Sequence, residues 1–160
     1  MKWGVFLLSV LVLTAHAGQV VANDLAPWGS APVIQQTYSG QKVVFDTTAG
    51  SPAGLTSVLD RASLLSILNG ADPLDNKIVI VLHGGAIPFF AIRNYARNKD
   101  LMHRAQSLSV GGVVEYRLCR AAAQLQGFKP EDIHGFVKMV PMADAEIVRL
   151  QQEEGFAYMR

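Results

Sequence analysis

One thiol stands out among the side chains that could do chemistry, because Cys119 is the only cysteine of this 160-residue chain. An apolar stretch over residues 113–116 precedes it, and an Ala-rich stretch that stops at Gly127 follows it. This pattern predicts a strand and then a helix over residues 119–126. A helix N-terminus carries partial positive charge and free N–H groups, which favour the nucleophilic thiolate. The spacing therefore makes Cys119 a candidate nucleophile.

Two arginines flank this cysteine and add positive charge. Arg117 and Arg120 would stabilise a thiolate or bind a small anion. The opposite interpretation stays open, because a free cysteine is commonly a small buried hydrophobic residue. Ala122 and Leu125 mark an apolar helix face beside Cys119, and the basic residues could simply be solvated.

A second candidate follows the apolar run over residues 77–82. Four consecutive β-branched residues without alternation are typical of a central parallel strand covered on both faces. The run ends at His83, whose imidazole could line a site or be hydrogen-bonded at the sheet edge. Gly84 and Gly85 could let backbone N–H groups approach an anion, or simply form a turn. Asp46, which ends an earlier β-type run, is interpreted as a loop cap rather than a catalytic acid.

The order of elements predicts one α/β domain over residues 41–160. The pattern predicts strands over 42–46, 77–82, 113–116, 135–140 and 156–159. It predicts helices over 53–68, 86–95, 98–108 and 119–126, and a last helix that is capped by Asp144 and stopped by Gly155. Ser51 and Pro52 suit the start of the first helix. Alternating strands and helices imply an open, mostly parallel five-stranded sheet with helices on both faces, joined by right-handed crossovers.

Ligands bind such sheets outside the carboxyl ends of the strands, near a topological switch point. Three segments should meet there: residues 46–48, residues 83–85 and residues 117–120. This topology places the thiol, the histidine and an acid on one rim, and it needs no motif to do so.

The N-terminus predicts an exported protein. Lys2 is followed by an apolar run over residues 5–13 and by the small-x-small pattern around Ala17, which is typical of a secretory signal peptide. Residues 1–22 are interpreted as this signal, cleaved after Ala17 or Ala22, and residues 23–40 as an irregular leader. The apolar run is too short for a membrane-spanning helix, so no membrane association is expected after cleavage.

Charge and motifs exclude several function classes. Loss of Lys2 from the 14 basic residues leaves 13 against 13 acidic ones, a net charge of zero, which argues against a nucleic-acid partner. A single cysteine cannot form an internal disulfide. His103 and His134 lack partners at ligand spacing, so neither a metal nor another cofactor is expected. The sequence has no dinucleotide-binding, Walker-type or nucleophile-elbow motif.

The whole mature domain resembles the DsrE/DsrF-like family of small proteins associated with sulfur oxidation and sulfur relay. The resemblance lies in the run of residues 78–82 into His83-Gly84, in the strand, Cys119 and helix, and in the closing segment Arg149-Leu150-Gln151-Gln152-Glu153-Glu154-Gly155-Phe156-Ala157-Tyr158. It implies a flavodoxin-like sheet, assembly into trimers or hexamers, and a cysteine at the position of Cys119 that carries persulfide sulfur. The chain departs from the family in the run after the cysteine, Arg120-Ala121-Ala122-Ala123, and in its signal peptide.

Two functions are therefore expected from the sequence. The first is a periplasmic sulfur carrier or sulfurtransferase, which takes sulfur from a donor protein or a small sulfur anion onto Cys119. His83, Gly84, Gly85, Arg117 and Arg120 would then line the binding site. The second is a non-catalytic binding or assembly module in which Cys119 is a buried core residue.

Overall fold

The computed structural model describes residues 29–160, so the predicted signal peptide and residues 23–28 of the predicted leader lie outside the described residues. Residues 36–160 form one compact unit. Residues 29–41 contain no helix or strand. No helix in the described range combines the length and the apolar character that crossing a membrane requires.

Within residues 29–160, five strands and four α-helices make up the fold. The strands are β1 (Lys42–Thr47), β2 (Lys77–Leu82), β3 (Val114–Cys119), β4 (Val137–Val140) and β5 (Ala157–Met159). The helices are α1 (Pro52–Leu68), α2 (Tyr95–Val110), α3 (Arg120–Leu125) and α4 (Ala143–Glu154). Short 3₁₀ turns lie at Gly84–Phe90, Ile92–Asn94 and Pro130–Asp132.

The strands form one sheet in the order β4-β3-β2-β1-β5. Every neighbouring pair is parallel. The chain steps outward from β1 to β4 and then crosses back, so that β5 lies on the other side of β1. This is the predicted flavodoxin-like open α/β fold with helices on both faces, and its sheet is wholly parallel.

The two faces of the sheet carry separate apolar cores, because side chains alternate along each strand. The larger core lies under α1 and α2, and its buried members include Phe45, Leu55, Leu59, Ile80, Met102 and Tyr116. The smaller core lies under α4 and consists of Val44, Val79, Val81, Cys119, Ala143, Ile147, Leu150 and Phe156. Strand β2 contributes to both cores, which explains its uninterrupted apolar sequence.

Several predicted helix ends are confirmed by their hydrogen bonds. The Ser51 Oγ accepts the backbone N–H of the first turn of α1 at 3.1 Å, as an N-cap does. After α3, Gly127 has a φ of +74°, and the Phe128 N–H donates to the Ala123 carbonyl at 2.9 Å. Gly155 ends α4 in the left-handed conformation that glycine adopts without strain.

The region between β2 and β3 differs from the prediction of two helices over residues 86–95 and 98–108. Two 3₁₀ turns precede a single helix, α2, which is kinked at Asn98, where φ is −117°. Pro88 lies inside the first 3₁₀ turn. A proline lacks the backbone N–H that an interior α-helical residue donates, so a regular α-helix is disfavoured there.

Element boundaries near Cys119 and at the start of α4 also differ from the prediction. Strand β3 pairs with β4 as far as Cys119 opposite Val140, so the helix begins after Cys119 rather than at it. Helix α4 begins at Ala143, which makes Met142 its N-cap residue. The predicted cap, Asp144, lies in the first turn instead, where its carboxylate interacts favourably with the helix dipole.

The glycine pair after β2 forms a tight turn against the loop after β1. Gly84 has a φ of +53°. A Cβ added to Gly85 would lie 2.7 Å from the Gly50 Cα and 3.0 Å from the Thr48 carbonyl oxygen. These are backbone atoms that cannot move aside cheaply, so the two loops approach this closely only because Gly85 has no side chain.

We expect Gly85→Ala to lower the free energy of unfolding by about 1–3 kcal/mol, because the added methyl group overpacks this contact. Urea denaturation followed by circular dichroism would measure the change. Gly135→Ala is the matched control, since a Cβ there meets nothing within 4 Å. Equal unfolding midpoints for the two variants would contradict the close packing of the loops.

Candidate functional site

Four polar side chains lie on one face of the sheet near the carboxyl ends of β3, β2, β1 and β5. They belong to Cys119, His83, Asp46 and Tyr158. Cys119 shares the core under α4 with Val81 and Val44, and strand alternation puts His83 and Asp46 on that same face. His83 extends β2 in a β conformation, with φ −150° and ψ −179°. The edge that was predicted from topology therefore brings the histidine and the acid to the side of the sheet that carries the thiol.

The register of β2 and β3 sets His83 next to Cys119. Leu82 pairs with Leu118, so the following residue of each chain occupies the next row. Neighbouring parallel strands lie roughly 4.8 Å apart. Continuing this register by one residue sets His83 across from Cys119 at the end of the sheet.

Cys119 itself is largely withdrawn from solvent, being 5% exposed. It is the N-cap residue of α3, and its Sγ accepts a hydrogen bond from the Ala122 backbone N–H at 3.4 Å. An N–H that points at sulfur stabilises negative charge there. The position therefore combines one backbone N–H at the sulfur with limited access for a reactant.

His83, Asp46 and Tyr158 form a continuous hydrogen-bonded chain. The His83 Nε2 lies 2.5 Å from the Asp46 Oδ1, and the Tyr158 hydroxyl donates to the Asp46 Oδ2 at 2.7 Å. The chain crosses strands β2, β1 and β5. The side chains of His83 and Asp46 are each 22% exposed, so the pair is partly shielded and still reachable from solvent.

The electrostatic surroundings of Asp46 among these hydrogen-bonded side chains favour its ionised form. Partial burial alone would raise the pKa of the Asp46 carboxyl, but the hydrogen bonds from His83 and Tyr158 outweigh it and hold the pKa below its usual value. The same carboxylate raises the pKa of the Tyr158 hydroxyl. At neutral pH the centre of the chain is therefore an acceptor-only carboxylate.

The two arginines beside Cys119 have different surroundings. The Arg117 Nε donates to the Glu115 Oε1 at 2.7 Å, and its Nη1 binds the Glu146 carboxylate. These contacts pair the positive charge of Arg117 with two carboxylates. No hydrogen bond within residues 29–160 joins its guanidinium to the Cys119 sulfur. Arg120 is exposed on the first turn of α3.

The glycine pair takes part in the rim through its backbone. The Gln126 Nε2 donates to the Gly84 carbonyl at 2.9 Å, which ties the end of α3 to the turn after β2. Together with the close approach at Gly85, this favours the turn interpretation of the two glycines over anion binding by free N–H groups.

Sequence reasoning placed Asp46 on this rim but gave it the wrong role, and it gave Tyr158 none. Asp46 was interpreted as a loop cap, which is wrong, because it lies within β1 and bonds two side chains. Tyr158 was predicted to be in the last strand but was given no role. Its contact with Asp46 depends on β5 pairing with β1, a partner that the sequence does not specify.

A network of charged side chains is centred on Glu115 of β3. Burial raises the pKa of Glu115, but hydrogen bonds and charge from Lys138 and Arg117 outweigh it and lower the pKa to about 2. The Lys138 Nζ donates to this carboxylate at 2.9 Å, and the Glu115 side chain is only 13% exposed.

We expect Glu115→Gln to flatten the loss of stability in acid. The carboxyl pKa is lowered in the folded state, so its contribution is complete above about pH 4.5 and is lost as the pH falls toward about 2. Free energies of unfolding at pH 7 and pH 3 should differ by roughly 1–3 kcal/mol less in the variant than in the wild type. Glu131→Gln, at an exposed turn residue, is the control, and an unchanged pH dependence in Glu115→Gln would contradict this account.

The comparisons with known proteins bear on the fold alone. No family model matches the chain, and no curated protein matches it. A solved structure with a similar fold is that of MTH1491, a protein of unknown function from Methanobacterium thermoautotrophicum. The two are 21% identical, with a TM-score of 0.58, and the match covers 75% of this chain and 98% of that one. The chain therefore shares an open α/β fold with that protein.

Proposed function

We propose that this protein is an exported sulfur carrier or sulfurtransferase that holds sulfane sulfur as a persulfide on Cys119. The observation that carries the proposal is the position of the thiol. Cys119 caps a helix, accepts a backbone N–H at sulfur and is the cross-strand neighbour of a histidine that is paired with a carboxylate. The resemblance to DsrE/DsrF-like proteins supports the same chemistry.

The proposed reaction is a thiol exchange at sulfur. The Cys119 thiolate attacks the outer sulfur of a donor persulfide, R–S–SH, and a new S–S bond forms while the S–S bond of the donor breaks. The donor leaves as the thiol R–SH, and Cys119 becomes Cys–S–SH, with no net oxidation. A small polysulfide anion can replace the donor protein in the same step.

The remaining parts of the proposal concern the binding residues. We infer that His83 and the turn of Gly84 and Gly85 line the site, and exposed Arg120 offers positive charge to an incoming sulfur anion. Arg117 is left out of this role, because Glu115 and Glu146 already bind it. No resident cofactor or metal enters the step, and the cargo is the sulfur itself.

Export and self-association belong to the proposal as well. The signal-type N-terminus supports a periplasmic location. An exposed apolar stripe on α1 supports a homo-oligomer, a trimer or a hexamer by the family resemblance, because such stripes mark interfaces. Its members are Leu64, Ile67 and Leu68, which are 58%, 68% and 53% exposed.

Incubation with polysulfide should add the mass of one sulfur atom to the wild-type protein, as read by mass spectrometry of the intact chain. Because Cys119 is the only thiol, the adduct should be absent from Cys119→Ser and should be removed from the wild type by a reducing agent. The absence of any adduct after treatment with polysulfide, thiosulfate and a low-molecular-weight persulfide would reject the proposal.

A second candidate function rests on the burial of Cys119. The residue is 5% exposed and lies in the apolar core under α4, as expected of a binding or assembly module without thiol chemistry. In that case native Cys119 should react with a maleimide at least 100-fold more slowly than in urea, on the order expected for a group exposed only by opening. Cys119→Ser should then lower the free energy of unfolding by about 1–3 kcal/mol. Rapid labelling of the folded protein would favour the sulfur carrier instead.

A further inference from the structure

The carboxylate of Asp46 is shared between a histidine and a tyrosine, a feature that the sulfur-carrier proposal leaves unused. One oxygen lies 2.5 Å from the His83 Nε2 and the other accepts the Tyr158 hydroxyl at 2.7 Å. We propose that Asp46 is a positioning residue that holds His83 as the Nε2–H tautomer, with Nδ1 free to exchange a proton with the Cys119 thiol. Tyr158 fixes the orientation of the carboxylate.

The tautomer follows from the donor and acceptor inventory. An ionised carboxylate only accepts hydrogen bonds, so the nitrogen that faces it must carry the proton. Neutral imidazole has one N–H and one lone pair, and the lone pair is then on Nδ1. Because Asp46 also receives the Tyr158 O–H, the carboxylate is held in one orientation, and the ring of His83 is held with it.

The register of β2 with β3, continued by one residue, sets the Cys119 thiol beside this free nitrogen as its proton partner. Tyr158, Asp46, His83 and Cys119 occupy four adjacent strands, β5, β1, β2 and β3, on one face of the sheet. Of the charged groups nearby, Arg160 adds positive charge near Asp46, and Arg117, two residues before Cys119 on β3, is bound by the carboxylates of Glu115 and Glu146. The thiol at the next row of β3 is thus the titratable group beside His83 that has a proton to transfer.

This proton transfer rests on the proposed function and accompanies the sulfur transfer. The Cys119 S–H gives its proton to the His83 Nδ1, and the thiolate attacks the outer sulfur of the donor persulfide. The S–S bond of the donor breaks, and its thiolate takes the proton back from His83 Nδ1. The histidine, the carboxylate and the tyrosine end the cycle unchanged.

A purely structural role is the alternative, in which the chain only links three strands. Those strands are already joined by continuous backbone pairing, so side-chain bonds at their ends add little. The two roles differ in what they predict for the imidazole nitrogens and for the rate of proton-coupled chemistry, whereas both allow some change in stability.

Long-range ¹H–¹⁵N correlation spectra report the histidine tautomer directly. In the wild type at a pH where His83 is neutral, we expect Nε2 to give the signal of a protonated nitrogen and Nδ1 that of a lone-pair nitrogen. In Asp46→Asn the neutral amide can donate as well as accept, and we expect a mixture of tautomers. Tyr158→Phe keeps the carboxylate and should keep the wild-type tautomer. His103, which lies 2.9 Å from the Tyr95 hydroxyl, serves as an internal reference in each spectrum.

The rate of persulfide formation on Cys119 supplies the second measurement. General acid–base catalysis contributes about 10²–10⁴-fold, so Asp46→Asn and His83→Gln should each slow the reaction by at least about 100-fold. Asp60→Asn, at a surface carboxylate that pairs with Arg104, should leave it unchanged. An Nδ1–H tautomer in the wild type would overturn the proposal, even if Asp46→Asn does not fold.

The two proposals fail in different ways. Wild-type rates in Asp46→Asn and His83→Gln would overturn the positioning role while the sulfur carrier stands. A protein that shows the expected tautomers but takes up no sulfur would reject the sulfur carrier and retain the positioning of His83 by Asp46.

Discussion

The parallel pairing of β2 with its two neighbours controls the position of every candidate side chain. Its residues 78–82 are buried on both faces, and each pairs in register with β1 and β3. A shift of one residue would move whole rows of apolar side chains from one core to the other. The burial of β2 therefore fixes the register, and the register in turn fixes His83 beside Cys119 and within reach of Asp46.

The sheet order adds the fourth member of the site. After β4 the chain returns across the face that carries α4 and places β5 next to β1. This return creates the topological switch at β1, which is the location where open α/β sheets bind ligands. It also brings Tyr158 to Asp46, so the same crossover that completes the sheet completes the hydrogen-bonded chain.

Much of this arrangement is predictable from the sequence, and the failures have physical causes. The uninterrupted β-branched run of β2 indicates a central strand, and Ser51, Gly127 and Gly155 mark helix ends by local chemistry. The partner of β5 depends on a long crossover, and no local signal encodes it. Asp46 was misread for that reason, since a polar residue at the end of a strand is recognisable as part of a site only when its neighbours are known. The close approach at Gly85 is equally invisible in a sequence, because its contact lies in another loop.

The burial of Cys119 determines what kind of sulfur donor the proposed chemistry can use. Cys119 shares an apolar cluster with Ala143 and Ile147 of α4, and the Ala121 N–H donates to the Pro141 carbonyl at 3.2 Å, which joins α3 to the segment before α4. For the proposed chemistry, a local separation of these two segments would expose the sulfur. The sheet pairing is untouched, so the opening is local rather than global. A slim donor such as a polysulfide anion needs the least opening, whereas a folded donor protein must present its persulfide on a protruding segment. If Cys119 carries sulfur as proposed, its burial favours a donor no wider than a chain of sulfur atoms.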